Sequence, residues 1–200
     1  MEKFLNLPED KRKNIIDSAL KVFGENGYRK ASIRDIATEA GISKAMIFHY
    51  FGTKKELYLY LFVFCSQLIL DEINEKYDQG ITDFFDRIYS VSEIKLSAIK
   101  KHPSSITFLT GAYFESNSEV AGDIKKLLEQ GENLQDKIAF DGVDVSKFKE
   151  GIDIKLVMKM LVWMSEGIVS SSKNSGIIDI DEIYREFYQC MNLLKTNLYR

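Results

Sequence analysis

The chain has 200 residues, of which 45% are hydrophobic and 28% charged, so it is long enough for a sizeable core and is not a disordered protein. Cys65 and Cys190 share no short motif, which excludes a disulfide framework or a cysteine metal site and favours a reducing compartment. The net charge of −3 is unevenly distributed: residues 1–60 hold eleven Lys or Arg against eight Asp or Glu, and the other 140 hold sixteen against twenty-two. A mildly basic end on an acidic body suits a protein that presents one face to DNA.

The N-terminal segment predicts a short arm followed by a long helix. Residues 1–13 lack the apolar core of a signal peptide, which favours a cytoplasmic protein, and residues 1–7 are predicted to be a frayed arm. Pro8 suits the first turn of a helix, where its missing N–H is no loss. The helix carries an apolar stripe at helical spacing and should end at Gly27; the stripe is Ile15, Ile16, Ala19, Leu20 and Phe23.

The stretch from 32 to 51 predicts two short helices joined by a tight turn. Ser32 and Ser43 each stand where a side-chain oxygen can cap the first turn of a helix, and Gly41 between them can take the left-handed conformation of a helix stop. Thr53 with Glu56 forms a capping box for the next helix. Such a unit is a helix-turn-helix, whose second helix enters the major groove of DNA.

The second of these helices has two different faces. Ile47 and Phe51 lie four residues apart and are predicted to point inward. The other side has no acid and combines Lys44, Ala45, Phe48 and His49, flanked by Met46 and Tyr50. The alternative is a helical corner of any all-α protein. An exposed aromatic helix with flanking lysines favours DNA binding instead.

The rest of the chain reads as helices with short connections. Residues 57–70 are apolar almost all round but too short and interrupted to span a membrane, so the helix predicted over 54–78 is buried in protein. An interruption is expected near Gly131, and loops over 141–146 and 170–176. The further helices are predicted over 82–101, 104–115, 118–140, 153–170 and 179–199, which makes about nine helices and an all-α fold.

Residues 11–57 resemble the DNA-binding domain of the tetracycline-repressor (TetR) family of bacterial transcription regulators. The resemblance lies in I-I-D-S-A-L-K-V-F-G-E-N-G-Y (15–28), S-I-R-D-I-A-T-E-A-G-I-S (32–43) and K-A-M-I-F-H-Y-F-G-T-K-K-E-L (44–57). It implies a homodimeric, ligand-responsive repressor that binds a palindromic operator. We expect a three-helix DNA-binding domain over 1–53 and a helical effector-binding and dimerisation domain over 54–200.

The family motif also assigns roles to single residues. By resemblance, Lys44, Ala45 and Phe48 face base edges, with Arg34 at the start of the supporting helix and Ser43 at the cap of the second one. Phosphate contacts fall to Met46, His49, Tyr50 and Lys54. Lysine can donate to guanine, and Ala45 and Phe48 can pack on a thymine methyl group.

Two positions depart from the family pattern. The family commonly has Tyr at the position of Phe48 and Thr or Ser at that of Met46, so two polar contacts are absent and the operator sequence cannot be carried over. These departures keep open a second hypothesis, a helical adaptor that has lost specific DNA binding. Nothing in the sequence supports an enzyme, since the chain has no G-x-G-x-x-G motif, no phosphate-binding loop, no H-E-x-x-H motif and no histidine in a triad setting. We expect no cofactor and no metal.

The C-terminal part predicts an effector site and a dimer interface. Aromatic residues there fit an apolar pocket for a small molecule, although each also fits an ordinary helical core; the candidates are Phe85, Tyr89, Phe108, Tyr113 and Trp163. The resemblance implies that the last two helices, about 153–170 and 179–199, pair with their copies in a homodimer. The alternative is that both are core helices of one subunit.

Overall fold

A computed structural model describes residues 1–174 and 179–200, without the side chains of residues 132, 133, 173 and 174. In the described ranges the chain is all-helical, which confirms the predicted fold class, and its only strand-like pairing there is the single bridge between Phe148 and Tyr199. A short 3-10 helix spans Val145–Lys147. The α-helices are α1 (Glu2–Leu5), α2 (Glu9–Lys30), α3 (Ile33–Glu39), α4 (Lys44–Phe51), α5 (Lys54–Lys76), α6 (Phe84–Lys100), α7 (Ser105–Tyr113), α8 (Ala121–Phe140), α9 (Ile154–Asn174) and α10 (Ile180–Leu198).

The N-terminal arm is ordered, so the prediction of a frayed segment was wrong. Residues 2–5 form α1, and Phe4 is 0% exposed. Its ring centroid lies 4.6 Å from that of Phe51 and 5.7 Å from that of Tyr60. The guanidinium of Arg12 donates to the carbonyl oxygen of Leu5 at 2.6 Å and closes the arm onto α2. Burial of the Phe4 side chain therefore accounts for this additional helix.

Gly27 breaks α2 where the sequence predicts its end. Its φ of 67° lies in the left-handed region, and a short helical stretch continues beyond it to Lys30. Two other predicted breaks are wrong. The helix α8 runs through Gly131 without interruption, and α9 continues to Asn174 where a loop was predicted from residue 170. The remainder of that predicted loop lies outside the described residues.

One compact unit consists of residues 1–75 and 95–131. Its core is aromatic: the ring of Tyr58 lies 5.0 Å from Phe23, 5.0 Å from Tyr28 and 5.1 Å from Phe108, centroid to centroid. Phe108 belongs to α7, which lies so close to α2 that a Cβ atom on Gly24 would stand 3.1 Å from the Phe108 backbone nitrogen. The unit thus joins the helix-turn-helix to helices from later in the chain.

The second unit consists of residues 76–94 and 132–200. Its core includes Phe84, Phe85 and Phe148, and a charged network surrounds Asp83 at the edge of that core. The Asp83 carboxylate accepts from Lys147 at 2.9 Å and from Lys195 at 3.2 Å. Burial alone would raise the pKa of Asp83, but the backbone N–H of Asp86 and the two lysines outweigh it and lower that pKa to about 2. The predicted domain boundary between residues 53 and 54 stays a prediction. No helix in the described part of the chain is long and apolar enough to cross a membrane.

Candidate nucleic-acid interface

Local capping contacts fix the two helices of the motif. The Ser32 hydroxyl accepts a hydrogen bond from the backbone N–H of Asp35 at 3.1 Å and caps α3. Gly41, with φ of 67°, turns the chain, and the Ser43 hydroxyl accepts from the backbone N–H of Met46 at 3.2 Å and caps α4. Thr53 caps α5 in the same way. Both predicted helices therefore begin where the sequence places them.

The inner face of α4 packs against α1. Ile47 and Phe51 are buried as predicted. Tyr50, predicted to contact a phosphate, is only 8% exposed, and its ring centroid lies 6.0 Å from that of Phe4. Tyr50 is therefore mainly a core residue, and little of its surface is left for DNA.

The outer face of α4 is accessible and carries the other predicted contacts. Phe48 is 40% exposed, and the Lys44 ammonium lies 5.6 Å from the centroid of its ring. This cation–π contact holds a positive charge beside an exposed aromatic face. No acid stands in the first turn of the helix. Also exposed are Ser43, Ala45, Met46 and His49, together with Arg34 in the first turn of α3.

Lys54 extends this face at the start of α5. Its ammonium lies 4.6 Å from the centroid of Tyr28 and donates to the carbonyl oxygen of Arg29 at 3.4 Å. Burial lowers the pKa of Lys54, and the carboxylates of Glu119 and Glu115 oppose that change. These contacts hold the cation near the amino end of α5, where helix amides favour an anion.

The five predicted effector residues are not brought together in one unit. Phe108 is fully buried in the aromatic core of the first unit, and Tyr113 is exposed there. Phe85 is buried in the core of the second unit, whereas Tyr89 and Trp163 are exposed. Their role in effector binding stays a prediction.

An open groove of about 790 Å³ lies beside α4 in the first unit. None of the five predicted effector residues lines it. Its walls include Phe48 and His49 of α4, Leu59 and Val63 of α5, and Leu127 of α8. The described residues contain no group of three or more His, Cys, Asp or Glu placed to hold a metal ion.

An exposed apolar stripe runs along α9. Leu156, Met160 and Trp163 follow one another at spacings of four and three residues, which places them on one side of the helix. All three are exposed, Trp163 by 59%, and Leu193 of α10 is exposed as well. The sequence shows the spacing of these residues but not that their side of α9 is left uncovered. We call Leu156, Met160 and Trp163 the α9 stripe.

The fold and the exposed face of α4 define a helix-turn-helix DNA-binding protein. Residues 15–61 match the family model described as bacterial regulatory proteins, tetR family. Residues 15–61 therefore carry the DNA-binding domain described for TetR-family regulators. The chain is similar to transcription regulators of that family, which are not enzymes.

Relatives of known role support this assignment. The chain is 27% identical over 154 residues to the fatty acid metabolism regulator protein of Bacillus subtilis, a match that covers 74% of this chain and 75% of that protein. It is 30% identical over 119 residues to the transcriptional regulator BetI of Brucella canis, and the match spans 59% of this chain and 58% of BetI.

Solved structures share the fold over nearly the whole chain. FadR from Bacillus subtilis in complex with stearoyl-CoA superposes with a TM-score of 0.70 at 23% identity, over 93% of this chain and 98% of that one. A regulator from Saccharomonospora viridis in complex with choline gives 0.71 at 18% identity, over 96% and 98%. At these identities the structural matches establish the fold alone.

Proposed function

We propose that the chain is a ligand-responsive repressor that binds a palindromic operator as a homodimer and is released by a small, largely apolar effector. The observation that carries the proposal is the outer face of α4, where Lys44 and Phe48 are exposed side by side with no acid in the first turn. A protein that acts on genomic DNA works in the cytoplasm.

On this proposal α4 lies in the major groove. Lys44 donates to guanine, and Ala45 and Phe48 pack on thymine methyl groups. Ser43, Met46, His49 and Lys54 lie along the backbone, and Arg34 reaches it from α3. Tyr50 contributes chiefly by holding α4 against Phe4.

The α9 stripe supports the homodimer. Exposed apolar side chains in a row are typical of an interaction surface, and symmetric dimers pair the same surface of each copy. We propose that α9 and α10 pair with their copies, so that two α4 helices reach half-sites about 34–36 Å apart. On this proposal Trp163 lies in the interface rather than in an effector pocket.

The effector acts by favouring one conformation of the chain over another. Packing of α7 on α2, with Phe108 in contact with Tyr58, gives a physical connection between later helices and the DNA-binding helices. FadR of Bacillus subtilis holds stearoyl-CoA and the Saccharomonospora viridis regulator holds choline, so proteins of this fold accept chemically different ligands.

The test is binding to a duplex of the DNA upstream of the gene for this chain, at two salt concentrations and against random duplex. We expect saturable binding of a dimer that exceeds binding to random DNA and falls steeply with salt. Binding that never exceeds that to random DNA, there or in selection from a random-sequence library, would favour the adaptor hypothesis. The same duplex, once bound, serves to screen ligands for release.

A further inference from the structure

The groove beside α4 is lined by apolar side chains that have no part in the proposed DNA contacts. Leu59 and Val63 lie four residues apart on one side of α5, and Leu127 of α8 and Met1 line the groove with them. Val63 is 47% exposed and Met1 49%. DNA binding explains the exposure of Phe48, but not that of Val63, which stands roughly two and a half turns into α5. This apolar surface therefore calls for another occupant.

The size and lining of the groove suit a small molecule. Its volume of about 790 Å³ lies within the range of roughly 300–1,000 Å³ that is usual for small-molecule sites. Tyr60, which is half-buried, adds an aromatic wall, and Gln130 adds a polar side chain to the lining. Such sites combine mainly apolar walls with a few polar groups that orient the ligand.

The charged side chains that line the groove balance one another. They are Glu56, Asp123 and Lys126. The carboxylate of Asp123 is already paired with the ammonium of Lys55, which lies 2.7 Å away. This leaves the carboxylate of Glu56 and the ammonium of Lys126. A ligand ion of either sign would be attracted by one of them and repelled by the other, and would also lose hydration in an apolar groove. The lining therefore favours an uncharged molecule.

The groove shares two residues with the outer face of α4. Phe48 is proposed to pack on thymine methyl groups and His49 to lie along the DNA backbone, and both side chains line the groove. A molecule in the groove therefore covers surface of Phe48 and His49 that DNA would otherwise contact. Ligand and DNA would compete for the same side chains, and this competition needs no change of conformation in the later helices.

We infer that the groove beside α4 binds an uncharged, largely apolar small molecule that competes directly with DNA. Such a molecule acts on the DNA-binding face itself, and this action is separate from that of an effector that shifts the conformation of the chain. Only the competition rests on the proposed function, because ligand binding is measured without DNA.

The first test uses N-phenyl-1-naphthylamine, an uncharged dye whose fluorescence rises in apolar surroundings. We expect saturable binding of one dye per chain. Val63→Gln replaces an apolar wall of the groove with a polar side chain and should weaken dye binding by about fivefold or more. Leu5→Gln is the control, since Leu5 is also exposed and does not line the groove.

Three outcomes of this test would overturn the inference. The first is the absence of saturable dye binding. The second is equal dye affinity of Val63→Gln and the wild type, which would place the dye elsewhere. The third is dye binding that disappears as the protein concentration rises, which would show that a second copy of the chain covers the groove.

The second test asks which charge the groove accepts. Decanol, decanoate and decyltrimethylammonium have the same tail and are compared as competitors of the dye. We expect decanol to bind about fivefold more tightly than either ion. Lys126→Met leaves Glu56 unbalanced and should strengthen binding of the ammonium relative to decanol. Lys125→Met, at the adjacent lysine outside the lining, should not. An ion that displaces the dye better than decanol from the wild type would overturn the uncharged class.

Operator binding tests the competition. The dye should raise the apparent Kd of the operator in proportion to its concentration, without a plateau. Val63→Gln should bind the operator as the wild type does and should resist the dye. A plateau would show that dye and operator bind together, and would overturn direct competition. If the wild type bound the dye as expected but no specific DNA, the groove site would stand and the repressor proposal would fail. If it bound the operator but not the dye, the reverse would hold.

Discussion

The outer faces of α4 and α9 both expose large apolar side chains, but they differ in what lies between those side chains. On α4, Phe48 stands beside the ammonium of Lys44 and the imidazole of His49. On α9, Leu156, Met160 and Trp163 are three large apolar side chains in a row on one side of the helix, and the exposed Lys159 lies at the margin of that row. An exposed aromatic residue therefore does not identify its partner. The composition of the whole face is more informative: an aromatic ring among cationic and polar groups suits DNA, and three large apolar side chains in a row suit another apolar surface.

The two faces also differ in how they are supported. The short helix α4 has only eight residues and depends on packing from behind, which Phe4 of α1 provides. The longer helix α9 has twenty-one residues and is anchored by Val157 and Leu161 in the core of its own unit. We therefore expect perturbations to reach DNA binding mainly through the support of α4, and to reach oligomeric state mainly through the α9 stripe.

The largest expected effect comes from removing the support of α4. Phe4→Ala deletes a fully buried ring and should lower the free energy of unfolding by about 3–5 kcal/mol. Denaturant unfolding measures this, and operator affinity should fall with it because α4 loses its backing. Leu5→Ala, in the same helix but exposed, is the control. If the two variants had the same free energy of unfolding and the same operator affinity, α1 would not support α4.

Loss of the tryptophan from the α9 stripe should come next. Trp163→Ala removes a large exposed ring from the proposed interface and should weaken dimerisation by about 2–4 kcal/mol, as buried tryptophans at interfaces do. Sedimentation at several protein concentrations measures the monomer–dimer equilibrium. Val63→Ala, which removes an exposed apolar side chain from α5, should leave it unchanged. An unaltered dimer with weaker effector binding would instead support the prediction that Trp163 lines the effector site.

Features that depend on neighbouring residues could be predicted from the sequence, and features that depend on distant residues could not. The caps at Ser32 and Ser43 and the turn at Gly41 depend on neighbours within four residues, so their residue types were sufficient to place α3 and α4. The burial of Phe4 depends on Tyr60, fifty-six positions away, and no local pattern reveals it. The predicted break at Gly131 rests on propensity alone, and a single glycine costs a helix only about 1 kcal/mol.

The same limit applies to the candidate site: local spacing could be predicted, and contacts with distant residues could not. The outward positions of α4 follow from helical spacing, and only Tyr50 differs, because its packing partner lies in a segment expected to be an arm. The predicted effector residues share a residue type but no spacing pattern, and the structure scatters them. Exposure of the α9 stripe could not be read from the sequence, since an apolar stripe looks the same whether or not it is covered.

A smaller effect is expected from the charge on α4. Lys44→Ala should lower operator affinity by about 1–3 kcal/mol and relax the preference at one base pair. Fluorescence anisotropy with the operator and with single-base variants measures both quantities. Lys54→Ala, at a proposed phosphate contact, should weaken all sequences alike and reduce the salt slope by about one. If Lys44→Ala also weakened every sequence equally, Lys44 would contact a phosphate and not a base.

The smallest effect provides the sharpest comparison, because the motif contains two nearly identical caps. Ser32 and Ser43 each accept one backbone hydrogen bond, at 3.1 Å and 3.2 Å, so Ser32→Ala and Ser43→Ala should each lower the free energy of unfolding by about 1 kcal/mol.

The effects of these two variants on DNA binding should differ. Ser43 orders the first turn of α4, from which Lys44 and Ala45 project, whereas Ser32 orders α3 behind it. We expect operator affinity, measured well below the unfolding transition, to fall in Ser43→Ala and to change little in Ser32→Ala. Equal losses of affinity in both variants would mean that the two helices support DNA binding only as a rigid unit, and that the amino end of α4 has no special place in the interface.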